Sequence, residues 1–232
     1  MQLEKTTNES PAPRRQYNDA CGMAHALDLI GERWAMLVMR ELMLGSKRFS
    51  DLRADLPGIS ANVLTQRLEG LEAARIVVRR KLPPPASIQV YELTPWGLES
   101  EPILLSLGRW AARSPDHDPS LPLSGVSLML SFKAMLHPVR AQDLVARVGF
   151  RLGRESYLAR IANGQIDVAR DALDEADVIL TADVLAVAAA IYGGQPLDAL
   201  VASGALTIEG DKTIAERFTT LFPLPEKAWQ RD

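Results

Sequence analysis

Cysteine is almost absent from this 232-residue chain, since Cys21 is the single one. One cysteine cannot form an intramolecular disulfide, which excludes a disulfide-stabilised secreted fold and indicates a reducing compartment. No apolar run approaches the roughly 20 residues that span a bilayer, and the polar start Met1-Gln2-Leu3-Glu4-Lys5 does not resemble a signal peptide. We therefore expect a cytoplasmic protein with no membrane partner.

Residues for metal or catalytic chemistry are scarce as well. The three histidines, His25, His117 and His137, are far apart and belong to no Cys/His/Asp cluster with the spacing of metal ligands. The sequence contains no glycine-rich phosphate loop and no Ser/His/Asp set with a recognisable spacing. It therefore predicts no metal, no cofactor and no enzymatic activity.

The length and the prolines of the chain predict two domains. With 232 residues, of which 47% are hydrophobic, each of two domains could bury its own core. Prolines and short polar residues between Ser114 and Pro122 indicate a linker. We expect a flexible arm at 1–19, a domain at 20–113, a linker at 114–122, a domain at 123–225 and a tail at 226–232.

Charge is divided unevenly between these domains. Residues 1–113 hold 15 Lys/Arg and 13 Asp/Glu, a net charge of +2, whereas residues 114–232 hold 11 and 16, a net charge of −5. From Ser46 to Leu82 there are eight basic and four acidic residues, a net charge of +4. Nucleic acid binds to local basic patches, so we expect DNA phosphates to face this segment.

The same segment predicts two helices joined by a tight turn. The first helix is indicated by apolar residues at helical spacing, Phe49, Leu52 and Leu56. Pro57-Gly58 ends it, and Ser60 is a suitable N-cap for a second helix. That helix carries leucines on one face, at Leu64, Leu68 and Leu71.

The polar face of the second helix suits the reading of DNA bases. Asn62, Gln66 and Glu69 point away from the leucines, with Val63 and Thr65 on the flanks. Asn and Gln side chains pair with adenine, and the methyl groups of Val and Thr meet the thymine methyl. An ordinary solvated helix face is the alternative, because such faces are polar too.

A basic hairpin is predicted next, with strands at 76–82 and 88–93 joined by a loop at 83–87. Its first strand carries Arg79, Arg80 and Lys81, although charges on an exposed strand edge also discourage aggregation. Helix, turn, helix and hairpin together predict a winged helix-turn-helix domain. The expected DNA contacts are Arg48, Ser60, Asn62, Val63, Thr65, Gln66, Arg67, Arg79 and Lys81.

This part of the chain resembles the HxlR family of bacterial winged-helix regulators over about residues 20 to 113. The resemblance rests on Cys21, 27–34, Arg40-Glu41-Leu42, Gly45, Arg48-Phe49, 56–60, 64–68, Leu71-Glu72, Pro83-Pro84, 90–94, Gly97 and Trp110. Gly22 departs from the family, which usually has proline there, and so does the segment 73–76. The resemblance implies homodimers on near-palindromic double-stranded DNA operators.

Two further expectations concern the surface of this domain. We predict dimerisation through helices at 24–44 and 95–113, because Leu104, Leu107 and Trp110 form an apolar stripe that one small domain cannot bury. Cys21 matches a position that some family members use for redox sensing. An incidental or structural role is the alternative, because reactivity requires an electropositive setting.

Beyond the linker the pattern predicts a small mixed sheet with helices. A helix at 128–136 is stopped by His137-Pro138, and strands are expected at 145–152, 156–161, 165–169 and 177–181. Asn163-Gly164 indicates a hairpin turn. The remaining elements are a helix from Asp183 to Gly193-Gly194, a short helix from Pro196 to Gly204, a strand at 205–209 and a helix from Asp211 to Phe222.

This half resembles the sterol-carrier-protein type 2-like fold through residues 176–183, Gly193-Gly194, 203–211 and 218–223. The resemblance implies a small α+β module that holds apolar ligands under its sheet. The expected ligand-binding residues are adaptable apolar side chains, Met129, Phe132, Met135, Phe150, Tyr157, Ile191 and Tyr192. Simple core packing is the alternative for each of them.

The predicted fold class is α+β, a winged helix-turn-helix domain followed by a small sterol-carrier-like domain. The predicted function is a ligand-responsive transcriptional regulator whose effector is an apolar or aromatic small molecule. Two alternatives stay open. One is an apolar-ligand carrier or enzyme-like domain fused to a winged helix used for protein contact, and the other is a thiol-redox-responsive regulator that acts through Cys21.

Overall fold

The computed structural model describes residues 16–85 and 87–230. Most of the predicted arm (residues 1–15), Ala86 of the hairpin loop and the last two residues of the tail lie outside this description.

The first half contains α1 (Gly22–Ile30), α2 (Ala35–Leu42), α3 (Phe49–Asp55), α4 (Ala61–Ala73), β1 (Val77–Lys81), β2 (Gln89–Leu93), α5 (Pro95–Leu98) and α6 (Glu101–Ala111).

Helices α3 and α4 form the predicted helix-turn-helix. The Ser60 hydroxyl accepts a hydrogen bond from the backbone N–H of Val63 at 3.3 Å, as an N-cap does. Gly58 in the turn has a φ of 89°, a conformation that glycine adopts without steric cost. Leu64, Leu68 and Leu71 are buried against the other helices, so the helical spacing in the sequence located the inner face of α4 correctly.

Strands β1 and β2 form the predicted antiparallel hairpin, with Val77 opposite Leu93 and Lys81 opposite Gln89. We call this hairpin the wing. Lys47, which precedes α3, pairs with Tyr91 of β2 through two backbone hydrogen bonds of 3.0 and 2.8 Å. The segment between α2 and α3 is therefore joined to the wing.

Two predicted helices differ from the structure. The helix expected from about Pro95 to Arg113 is divided into α5 and α6, because Pro102 has no N–H to donate to Leu98 and so cannot continue the α-helical pattern. The last helix ends at Thr219 rather than at Phe222. Phe222 follows it as a buried residue of the core.

The second half is a five-stranded sheet with helices. Its elements are α7 (Gly125–Met135), α8 (Pro138–Ala141), β3 (Ala146–Leu152), β4 (Glu155–Ala162), β5 (Gln165–Arg170), β6 (Val178–Ala182), α9 (Val184–Ile191), α10 (Leu197–Ala202), β7 (Leu206–Gly210) and α11 (Lys212–Thr219). The strand order is β5-β4-β3-β6-β7. Strands β3 and β6 are parallel, and the other neighbours are antiparallel.

Helix α7 lies between the two halves and is buried along most of its length. It packs against α2 and α6 of the first half and against β4, β5 and α9 of the second. The buried apolar residues therefore form one continuous cluster that includes Leu42 and Leu52 on one side and Phe150 and Leu180 on the other. This differs from the expectation of two separate cores, because burial of both faces of α7 requires both halves.

None of the helices in the described residues is long and apolar enough to cross a membrane.

Gly97 is a position at which a side chain would collide with the backbone. A Cβ at Gly97 would lie 2.3 Å from the carbonyl oxygen of Ile76, so Gly97→Ala should lower the free energy of unfolding by roughly 1–3 kcal/mol through overpacking. Gly108 of α6 serves as the control, because a Cβ built on it would meet no heavy atom of the described residues within 4 Å. Gly108→Ala should be neutral or stabilising in the same urea titration, and equal losses for both variants would contradict the packing argument.

Candidate nucleic-acid interface

The outer face of α4 carries the side chains expected to read bases. Asn62, Thr65 and Gln66 are exposed and Val63 is half-buried, while the leucines of the same helix point inward. The inward leucines fix the rotation of α4, so the polar face cannot turn away from solvent without exposing the core. A helix with this orientation can enter a major groove, in which side-chain amides form paired hydrogen bonds with adenine.

Arg67 lies on the side of α4 next to α1. Its guanidinium forms an ion pair with Glu32 at 3.2 Å, and only 21% of the side chain is exposed. Its Nε is buried and has no hydrogen-bond partner among the residues that the structure describes. Arg67 and Gln66 both line a cleft of about 510 Å³ between α1 and α4. Arg67 is thus partly buried and paired with a carboxylate, unlike the exposed Asn62, Thr65 and Gln66.

The wing carries its cations in different environments. Arg79 forms an ion pair with Glu72 at 2.8 Å and lies over the ring of Tyr91, and the hydrogen bond to Glu72 raises the pKa of Arg79. Arg80 forms an ion pair with Glu92 on the neighbouring strand. Lys81 is exposed and has no ion pair among the described residues. Lys81 is therefore the wing cation most available to phosphate.

The net charge of +4 between Ser46 and Leu82 overstates the charge that DNA would meet. Lys47 was counted in it as a basic residue facing phosphate, but its side chain is 2% exposed and is surrounded by carboxylates. Within the described residues, four exposed cations of the segment form no ion pair: Arg48, Arg53, Arg75 and Lys81. Sequence spacing could not show that Lys47 is internal, because its partners include a residue more than a hundred positions away.

Cys21 is exposed at the N-cap position of α1. Its backbone N–H donates to the Asp19 carboxylate at 2.9 Å. In the part of the chain that the structure describes, no group of three or more His, Cys, Asp or Glu side chains is placed to hold a metal ion.

The residues expected to bind an apolar ligand are mainly packed against one another or the rest of the core. Met129, Phe132, Phe150 and Tyr157 are fully buried, Met135 and Ile191 are nearly so, and Tyr192 is half-buried. The ring of Phe132 lies 5.5 Å from that of Phe150, 5.3 Å from that of Phe218 and 4.9 Å from that of Phe222. Phe218 and Phe222 were not among the expected ligand residues; Phe218 lies on α11, Phe222 lies beyond its end, and both are buried.

One cleft borders this domain on its helical side. It has a volume of about 420 Å³ and lies between α9, α10 and α11, with an apolar wall and two carboxylates at its edge. Its lining includes Ala190, Ile191, Pro196, Leu197, Asp198 and Glu216. Of the seven expected ligand residues, Ile191 lines this cleft. The Tyr192 hydroxyl is instead bonded to that of Ser131 at 2.7 Å, and burial raises the pKa of Tyr192.

The fold and this exposed helix define a winged helix-turn-helix protein with a second, α+β domain. The model of the HxlR-like helix-turn-helix family matches residues 29–119, and that of the SCP-2 sterol transfer family matches residues 133–223. The chain belongs to the HxlR family of transcriptional regulators, with an SCP-2 domain behind the DNA-binding fold.

Individual relatives match the first half of the chain. YvaP of Bacillus subtilis, an uncharacterized HTH-type transcriptional regulator, is 40% identical over 87 residues, which are 37% of this chain and 80% of YvaP. The HTH-type transcriptional regulator YodB of the same organism is 36% identical over 89 residues, 38% of this chain and 80% of YodB. A solved structure of reduced YodB covers 42% of this chain and 96% of its own, with 34% identity and a TM-score of 0.38.

Proposed function

We propose that this regulator binds a palindromic operator as a homodimer and that an apolar or aromatic small molecule in the SCP-2 domain changes its affinity for DNA. The observation that carries the DNA-binding part is the exposed polar face of α4, held by a buried leucine stripe and followed by the wing. In this arrangement α4 enters the major groove while the wing lies along the phosphates.

The proposed contacts divide into base reading and phosphate binding. Asn62 and Gln66 read adenine, and Thr65 and Val63 place methyl groups against thymine. Arg48 and Lys81, both exposed, bind phosphate and add no sequence preference of their own. Ser60 caps the helix that presents these groups. Arg67 and Arg79 are paired with Glu32 and Glu72, so each can bind phosphate only after it releases its carboxylate.

Asn62→Ala and Gln66→Ala should each weaken binding to the preferred sequence by about 1–3 kcal/mol, because each removes a base contact. The preferred sequence is first selected with the full chain from a randomised duplex library, and affinity is then measured by fluorescence anisotropy. Gln165→Ala, an exposed substitution on β5, is the control and should change nothing. Equal losses on the selected and on unrelated DNA would refute the base-reading assignment.

Dimerisation is proposed from apolar side chains that the first half leaves exposed. On α6, Ile103, Leu107 and Trp110 are 60%, 42% and 70% exposed, and they share one helical face. On α1, Met23 and Leu27 are 69% and 38% exposed. Leu104, which was expected on the same stripe, is half-buried and packs against the core instead. A second copy of the chain would cover these faces and place two α4 helices about 34 Å apart, one turn of DNA.

Trp110→Glu should convert the dimer to a monomer at micromolar concentration, because it places a charge in an apolar interface. Sedimentation velocity measures the assembly state, and operator binding should weaken in parallel. Val139→Glu is the matched control, because Val139 is 77% exposed on α8 and outside the proposed interface. A wild-type chain that sediments as a monomer and binds the palindrome tightly as a monomer would exclude this arrangement.

The effector is assigned to the SCP-2 domain because the matched family transfers sterols and the cleft beside Ile191 has an apolar wall. A ligand that favours one state of the protein must change operator affinity, and operator must change ligand affinity by the same factor.

The alternatives are a carrier function, in which the winged helix contacts protein, and thiol sensing through exposed Cys21. Sequence-specific DNA binding would exclude the first, and Cys21→Ser with unchanged regulation would exclude the second.

Calorimetric titration of apolar and aromatic metabolites should therefore identify a compound whose dissociation constant changes about 5- to 150-fold when operator is present. A duplex of unrelated sequence at the same ionic strength is the control. A compound that binds with the same affinity in both cases is a ligand but not an effector.

A further inference from the structure

Lys47 is a buried cation between the two halves of the protein. Its side chain is 2% exposed, and its ammonium group contacts Glu41 of α2 at 2.8 Å and Asp55 of α3. A third carboxylate, Glu155 at the start of β4, lies 3.8 Å away. Two of these acids belong to the DNA-binding half and the third to the SCP-2 domain, so Lys47 joins the two.

Further groups compensate the charges of these acids. Glu155 forms an ion pair with Arg170 at 2.7 Å and accepts a hydrogen bond from the Tyr157 hydroxyl. Glu41, which is fully buried, forms an ion pair with Arg40 at 2.8 Å and accepts from the Ser124 hydroxyl at 2.7 Å. We call this set the Lys47 network; its members are Arg40, Glu41, Lys47, Asp55, Ser124, Glu155, Tyr157 and Arg170. Its three cations and three carboxylates balance in charge.

The backbone of Lys47 belongs to a different structure, the wing. Its N–H donates to the Tyr91 carbonyl at 3.0 Å, and its carbonyl accepts from the Tyr91 N–H at 2.8 Å. Tyr91 also lies under the guanidinium of Arg79, a wing cation. One residue is thus paired through its backbone with the wing, while its ammonium group lies 3.8 Å from a carboxylate of the SCP-2 sheet.

The other end of the network lies in the SCP-2 core. Tyr157 is fully buried, opposite Phe150 in the β3–β4 register. Burial and the neighbouring Glu155 carboxylate raise the pKa of Tyr157, so its hydroxyl stays protonated and donates to Glu155. Tyr157 also packs closely on α7, because a Cβ on Gly125 would lie 3.0 Å from its ring. A change in the packing of this core would therefore move the Glu155 carboxylate.

We propose that Lys47 is a positioning residue that transmits the state of the SCP-2 sheet to the wing through Glu155. This inference rests on the proposed DNA-binding function for its biological meaning. The physical reason is that charges around a buried ammonium are weakly screened, so a displacement of Glu155 either draws the ammonium with it or changes the balance of the carboxylates around it. Because the Lys47 backbone is paired with β2, either response changes the hydrogen bonds that hold the wing.

The test uses the full chain and needs neither an effector nor DNA. In Glu155→Gln, the carboxylate is lost while the size of the side chain is kept. Hydrogen exchange at the Lys47 and Tyr91 amides should then accelerate roughly 2- to 30-fold, the range in which network mutations change coupling. Amides in α4 and α11 should keep their wild-type exchange rates. Glu209→Gln is the matched control, because Glu209 forms an ion pair with Arg151 on the same sheet and lies outside the network.

Tyr157→Phe provides a second variant that removes the hydroxyl alone, and it should accelerate the same amides to a smaller extent. Unchanged exchange at Lys47 and Tyr91 in both variants would overturn the proposal. So would faster exchange that is uniform over both halves, since that shows a general loss of stability. Wing-specific exchange in a chain that binds no DNA would support the transmission and reject the proposed function, so the two can fail separately.

Discussion

The burial of the Lys47 ammonium is the constraint on which the arrangement of the two halves depends. An ammonium removed from water must regain the lost solvation from nearby charges, and its partners come from α2, α3 and β4. Burial raises the pKa of Asp55 while Lys47 lowers it, which shows that solvation and ion pairing oppose each other here. The network therefore links the position of β4 to the positions of α2 and α3 through charge.

Helix α7 joins the two halves through apolar contacts, as Lys47 does through charged ones. Its residues face α2 and α6 on one side and the SCP-2 sheet on the other, so water is excluded from both. Hydrogen bonds at the edge of α7 accompany this apolar packing. For example, the Arg109 side chain on α6 donates to the carbonyl oxygen of Ala134 on α7 at 2.8 Å. Helix α7 is therefore packed on both sides, and the two halves meet through buried side chains.

The polar face of α4 depends on this framework only indirectly. Its orientation comes from leucines that anchor the opposite side of the same helix. The wing, in contrast, is held by Lys47 and so by residues of both halves. The polar face of α4 and the wing are thus supported by different parts of the core, and the wing is the one paired with the Lys47 backbone.

Local patterns in the sequence determined most elements of the fold. Leucine spacing located the inner face of α4, Ser60 and Asp183 marked helix starts, and Asn163-Gly164 marked a turn in which both residues have positive φ. These signals act over a few residues, because caps, turns and helix faces are set by neighbouring backbone groups and side chains. The face of α4 that would read bases could therefore be predicted without the structure.

Only the tertiary structure decided which charges and apolar groups are used internally. Lys47 and Lys81 look alike in sequence, yet one is enclosed by carboxylates and the other is exposed. Phe132 was expected at a ligand but packs on Phe218 and Phe222, which lie more than eighty residues away. Burial depends on contacts between distant segments, and charge or hydrophobicity at one position does not specify its partner.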